Sequence, residues 1–241
     1  MLRKPVLITC IACIIVFLSC GVEEYYFLPQ VQANRISSSI TVATINLPSI
    51  PDDPYYYAVK YAIFYRIYAS TFQTSTASSL NEFNLISPNL LSDYNYLLPI
   101  TNPANTSSTI SANTFKSRNF FELEFDGIDM LPKTGGTLVI NFPTATGEYP
   151  TASLDSVGNN RLLRSNELTT PRPDRYFRSS SDLRNVSNAT ANINADVAGQ
   201  SNAEYVYAAM YIVAVGIHPT NFTRIYSKPT FISVFKLPDE S

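Results

Sequence analysis

Apolar and polar residues change their spacing several times along the chain. From Val59 to Tyr68 the alternation has period two. Val59, Tyr61, Ile63, Tyr65 and Ile67 fall on one face, and Lys60, Ala62, Phe64, Arg66 and Tyr68 on the other, which predicts a β-strand. Ser38 to Leu47 alternates in the same way until Pro48, Pro51 and Pro54 break it. Phe120 to Phe125 and Thr137 to Phe142 predict two more strands around Gly135-Gly136, a turn suited to a hairpin. Glu204 to Gly216 is a long alternating apolar run, and Thr230 to Leu237 predicts a final strand. Between Ser78 and Leu98 the spacing is locally helical. Ser78 or Ser79 can cap this segment, Glu82 lies near the capping-box position, and Pro88 and Pro99 punctuate it. Thr144 to Ala203 is poor in apolar residues and rich in Ser, Asn, Arg and Pro. It predicts a long, partly mobile surface excursion with one or two helical turns.

The N-terminus follows a different pattern. Arg3 and Lys4 precede an uncharged apolar run from Val6 to Leu18, and Phe17-Leu18-Ser19-Cys20-Gly21 closes it. As a helix this run spans roughly 20 Å, short of a ~30 Å hydrocarbon core, so it reads as the apolar region of an export signal. Ser19 before Cys20 and Gly21 after it resemble a lipobox, with Phe17 where the common pattern has Leu. The resemblance implies that Cys20 is acylated on sulfur and that cleavage then frees its amine for a further acyl chain. Each buried methylene contributes about 0.8 kcal/mol, and one chain alone binds only reversibly, so two or more make a lasting anchor. The alternative is an uncleaved anchor or an ordinary signal peptide in which Cys20 has no role.

Composition narrows the picture. The 241 residues include three cysteines, of which Cys10 and Cys13 fall inside the signal and leave with it. The mature protein is then held by its core, without disulfides. Losing Arg3 and Lys4 leaves 15 basic against 19 acidic residues, a mild negative balance that argues against nucleic acid as a partner. Sixteen Tyr, 14 Phe and no Trp supply the large apolar side chains.

Two resemblances extend this reading. Ser39-Ile40-Thr41-Val42, Pro48 and Tyr61 to Tyr68 are similar to the second and third strands of a fibronectin type III domain. Tyr205 to Gly216, Ser227-Lys228-Pro229 and Thr230 to Phe235 are similar to its last two strands. The strand Trp of that family is missing, and about 135 residues separate the two halves. The implied fold is an all-β sandwich of immunoglobulin or fibronectin type III type, with a small helical insertion and a long loop excursion. Cys20-Gly21-Val22-Glu23-Glu24-Tyr25-Tyr26-Phe27-Leu28-Pro29 resembles the mature start of uncharacterised treponemal, spirochaetal lipoproteins, a group that carries no assigned activity. The expected organisation is a signal over 1–19, a lipidated tether over 20–36 and an elaborated sandwich over 37–241, its insertion covering roughly 70–203.

Candidate chemistry is sparse. The single histidine, His218, precedes Pro219 in the expected turn between the last strands, which speaks against a His base and His-based zinc sites. No phosphate-cradling glycine spacing occurs. Glu122, Glu124 and Asp126 alternate with Phe121, Leu123 and Phe125, so the three acids are expected on one strand face. They form either a wet surface or a carboxylate pair able to serve a glycosidase or a cation. Asn192, Asn194 and Asp196 have the opening spacing of a calcium loop, but Val197 replaces its glycine and Ala203 its closing Glu.

Six arginines lie between Arg161 and Arg184. Arg172, Arg175 and Arg178 recur at every third position around Tyr176 and Phe177, a pattern able to meet anionic headgroups or glycans. Tyr55-Tyr56-Tyr57 before the clearest strand is either packing or an aromatic contact surface. Asn105, Asn185, Asn188 and Asn221 open Asn-x-Ser/Thr triplets, which chance composition explains in a bacterium. The reading is a non-enzymatic envelope lipoprotein, without cofactor or metal, held to the inner or outer membrane by lipid on Cys20. It has an envelope protein or glycan as partner. The alternative is a carbohydrate- or solute-binding lipoprotein.

Overall fold

The two longest alternating runs become the two longest strands, and they pair along their full length. A computed structural model describes residues 28–32, 34–53, 56–75, 79–101, 115–126, 131–155, 157–166, 175–184, 195–199 and 202–240. In chain order the first strands are β1 (Asn34–Ser38), β2 (Val42–Leu47) and β3 (Tyr57–Ser70). Two helices follow, α1 (Leu80–Ile86) and α2 (Pro88–Thr101). Next come β4 (Phe121–Glu122), β5 (Glu124–Phe125), β6 (Gly136–Asn141), β7 (Thr151–Leu154) and β8 (Val157–Leu163), then a single turn α3 (Ser181–Arg184). The chain closes with β9 (Val197–Ala198), β10 (Tyr205–Ile217), β11 (Arg224–Tyr226) and β12 (Thr230–Lys236).

The chain is mostly β, and its strands form two sheets. One runs β1-β2-β6-β7-β8-β5. The other runs β11-β10-β3-β4, with β12 also on β10 and β9 also on β3. Antiparallel register carries β3 against β10 from Ser70 opposite Tyr205 to Tyr57 opposite Ile217, with a bulge at Val215/Gly216. All other named pairings are antiparallel except β9 on β3. This supports the expected sandwich at the level of an all-β, two-sheet architecture.

The face assignment read from β3 holds from Tyr61 onward, but not at Val59, which the register skips at the bulge and which is 44 % exposed while Ala58 turns into the core. Tyr61, Ile63, Tyr65 and Ile67 pack inward against β2, β6 and β7, with Ala43, Ile45, Leu138 and Ile140 in the same cluster. Ala62, Phe64 and Tyr68 face the opposite way and are buried too, beneath Phe83, Ile86, Leu90 and Leu97 of the helices. The β3/β10 sheet is therefore covered on both faces, which is why β10 is apolar at nearly every position rather than only at alternate ones. Stacked ring pairs occur in both clusters. Phe64 stacks on Phe115 at 4.1 Å, and Phe142 on Phe235 at 4.6 Å. Such pairs contribute about 0.5–1.5 kcal/mol beyond area burial.

The helical segment forms as its sequence predicts. Ser79 Oγ accepts from Glu82 N–H, and the Glu82 carboxylate accepts from Ser79 N–H, a complete capping box. Ser87 ends α1 in extended backbone, as the residue before a proline prefers, and Pro88 opens α2.

Three expectations are corrected. Phe120–Phe125 and Thr137–Phe142 do not form a hairpin: β6 lies between β2 and β7, while Phe121 and Glu122 pair with β3. Gly135 instead closes a turn on Pro132 with φ +72°, where a Cβ would lie 2.3 Å from the Leu47 carbonyl oxygen. Second, the polar excursion is not all loop. β7 and β8 extend the outer sheet from within it and bury Ala152, Leu154 and Leu162. Third, the alternation through Glu122, Glu124 and Asp126 is not one strand face. The chain leaves one sheet after Glu122 and joins the other at Glu124, with buried Leu123 as the crossing point.

Toward the N-terminus, Leu28 and Val31 are buried in the core and Asn34–Ser38 is a strand, so much of the stretch read as tether belongs to the folded body. Among the described residues no helix is long and apolar enough to cross a membrane.

Candidate functional site

Cys20, the expected lipid attachment site, lies outside the described residues, as do Arg172, Tyr55, Asn192 and Asn194. The arginine-rich segment, where described, is spread over separate structural tasks. Arg161 lays its guanidinium over the rings of Tyr149 and Tyr176, at 4.6 and 5.8 Å from their centroids. Arg164 is buried and forks onto Asp196, with Nε at 3.0 Å and Nη2 at 2.7 Å from the two carboxylate oxygens. Tyr65 donates to the same carboxylate at 2.9 Å and accepts from Ser165 N–H at 2.8 Å. Burial disfavours the Arg164 cation, but the Asp196 charge, the hydrogen bonds to Asp196 and the Tyr65 hydroxyl together outweigh it and raise its pKa. Arg175 pairs with Glu124 and donates to the Arg164 carbonyl. Arg178 is half-buried, with its backbone N–H on the Tyr176 carbonyl. Arg175 and Arg178 thus lie close in the chain without making one exposed row.

The carboxylates are similarly divided. Glu122 takes Lys60 at 2.9 Å and Arg224 at 3.6 Å, while Glu124 takes Arg175 and accepts from Asn166 N–H. The crossing at Leu123 gives each acid its own basic neighbour, in a small cavity of about 230 Å³. Asp196 is committed to Arg164 and Tyr65 rather than held open for a cation. Among the described residues no group of three His, Cys, Asp or Glu is arranged to hold a metal.

Of the tyrosine triplet, Tyr56 is in the core and hydrogen-bonds back to Asp53, whereas Tyr57 starts β3 with its ring 60 % exposed. His218 occupies the β10–β11 turn as expected, its Nδ1 accepting from Thr220 and Asn221 N–H. A cleft of about 430 Å³ opens at the end of the sandwich where β3 and β6 finish, walled by Thr41, Gln73, Ser75, Thr144 and Lys236. Among the described residues that line it there is no aromatic side chain.

Two features had no usable signal in the sequence. Asp93 of α2, buried between helix and sheet, accepts from Tyr68 at 2.7 Å and pairs with Arg66. Desolvation raises the Asp93 pKa against the lowering pull of Arg66, and it also raises Tyr68 well above its usual range. The partners lie 25 and 27 residues apart, beyond any helical or strand period. Phe222, in the loop that holds His218, is 76 % exposed with φ +57°. A lone Phe among Pro, Thr and Asn was its only trace in the sequence. Compared with protein-family models, with curated proteins and with solved structures, the chain has no match.

Proposed function

We propose that this chain is a lipid-anchored envelope lipoprotein whose elaborated β-sandwich serves non-enzymatic contacts with an envelope partner. The observation that carries the reading is the short apolar run ending in Ser19-Cys20-Gly21, eight residues before Leu28 enters the core of the folded body. An acylated Cys20 would hold that body close to a bilayer on a short lead. Pairing of each described acid on the β4–β5 crossing with a basic side chain favours a structural role for that segment over a hydrolytic one.

We further assign the sandwich to the fibronectin type III-like group. Supporting this is the strand order β1-β2-β6 opposite β3-β10-β12, which corresponds to the A-B-E and C-F-G strands of that architecture. The helices then lie in the connection after the third strand, and the β7–β8 hairpin in the connection before the sixth. The contact reading is preferred to solute binding because Tyr56 is buried and the described walls of the larger cleft include no aromatic residue, which leaves the exposed Tyr57 apart from that cleft.

The test is membrane partition with intact-mass measurement. The native protein is expected in the membrane fraction with acyl mass on a chain beginning at Cys20. Cys20→Ala is expected in the soluble fraction with the same circular dichroism. A native product that starts at Met1 and bears no acyl group would remove the anchor from the reading.

A further inference from the structure

The β10–β11 loop, residues 218–223, presents an apolar side chain outward from a well-built turn. His218 N–H donates to the Thr223 carbonyl at 2.9 Å, and Phe222 N–H to the His218 carbonyl at 3.0 Å. Asn221 Oδ1 accepts from both N–H and Oγ1 of Thr223, at 3.0 and 2.7 Å. These bonds hold Phe222 at φ +57°. Among the described residues the other non-glycine positions with positive φ are Asn119, Asp155 and Asn202, types that tolerate this conformation, whereas a bulky Phe does not favour it. The turn therefore holds an aromatic ring in a strained backbone conformation and leaves it 76 % exposed. Strain maintained by a hydrogen-bonded frame points to use of the side chain it displays.

The same pole carries two more exposed apolar residues. Tyr57, opposite Ile217 across the sheet, is 60 % exposed, and Val59 is 44 % exposed. This is also the pole toward which the N-terminal segment runs. The Val31 carbonyl accepts from Thr230, which faces Ile212. Three residues earlier, Leu28 packs so closely on Gly216 that a Cβ there would meet its Cδ1 at 3.1 Å. Traced backward, the chain moves along β10 toward the loop.

We propose that Phe222, with Tyr57 and Val59, enters the headgroup region of the bilayer that anchors the chain. The inference rests on lipid attachment at Cys20. Eight residues from Cys20 to Leu28 reach at most about 29 Å. The 14-residue β3 places the opposite pole, with its cleft, roughly 45 Å from this one. The lead is too short to bring that far pole to the membrane. The near pole is the one that carries an aromatic and apolar rim of the kind that settles at a lipid–water boundary.

The absence of Trp from the chain gives a direct test. Full-length lipidated Phe222→Trp and Tyr57→Trp proteins are reconstituted in vesicles of equal parts phosphatidylethanolamine and phosphatidylglycerol. Thr144→Trp, at the far pole, serves as the reference. Emission from the first two is expected to shift to the blue relative to protein in detergent-free buffer, and to be quenched by acyl-brominated lipids. Emission from Thr144→Trp should stay water-like and unquenched. If all three behave alike in protein shown by flotation to be vesicle-bound, the membrane-facing role is overturned while the anchor stands. If mass measurement finds no lipid on Cys20 and the protein does not float, both fall together. Phe222→Asn, which suits the turn's backbone, should retain the melting temperature and confirm that the ring is not needed for folding.

Discussion

Asp93 is 3 % exposed, and the groups around it decide what its charge contributes. Arg66 and Tyr68 face it from β3, Tyr211 from β10, and the Arg118 charge acts on it from the turn before β4. Burial outweighs these partners and raises its pKa above the ordinary 3.8. A folded state that holds a proton more tightly than the unfolded chain gains stability at low pH. Here that gain is complete below the unfolded value and is lost as pH rises through the folded one. Asp93→Asn keeps an oxygen for Tyr68 and Arg66 but does not titrate. Measured by urea unfolding from pH 3 upward, the stability of the variant relative to wild type should rise with pH and then level off. A flat difference would show that Arg66 and the other partners balance desolvation, and one that falls with pH that they outweigh it. Asp196, in the turn before β9, meets Tyr65 on the inner face of β3 and is held by a bidentate Arg164 instead. One strand thus carries two Tyr–Asp–Arg contacts, one on each side, and neither follows from local spacing.

The elements divide by how far their partners lie in sequence. Capped helices were legible because the box Ser79/Glu82 and the Pro88 start act within one turn. The long strands were legible because apolar, β-branched and aromatic residues run almost without a break for ten or more positions. β8 was not: among its described side chains only Leu162 is deeply buried, beside Gly158, Asn159, Asn160 and Arg161, and its place depends on hydrogen bonds to β7. The alternation from Phe121 to Phe125 was legible as strand but misleading as one face, since a change of sheet leaves the period intact. That both faces of β3/β10 are covered was present in the density of apolar residues along β10, but what covers the outer face was not. Phe83 marks that cover. Its ring meets Tyr94 at 5.0 Å and Phe231 of β12 at 5.6 Å, both edge-on. The seven residues of α1 cannot hold a helix in water alone, so docking maintains it. Phe83→Ala should cost about 3–5 kcal/mol in urea unfolding followed by far-ultraviolet circular dichroism. A loss below about 1 kcal/mol would mean that the helical layer rides loosely on the sheet.

At the scale of the whole molecule, the two poles differ in chemistry as well as position. The N-terminal segment and the Phe222 loop share one pole, and the Thr/Ser/Gln-walled cleft of about 430 Å³ lies at the other. Anchoring at Cys20 would turn the cleft away from the bilayer, toward whatever the domain meets. Orientation of this kind can be read chemically, because Cys10 and Cys13 fall in the stretch expected to be removed and Cys20 would be acylated, leaving any introduced cysteine as the sole free thiol. Gln73 and Thr220 are both exposed, one at each pole, so their intrinsic reactivities toward a bulky, membrane-impermeant maleimide should be similar in solution. On vesicle-bound lipidated protein, Gln73→Cys should label at its solution rate and Thr220→Cys severalfold more slowly. Equal slowing at both positions would indicate a body lying flat on the membrane. Equal rates without slowing would indicate a domain that stands off the bilayer and tumbles, and would overturn the preferred orientation.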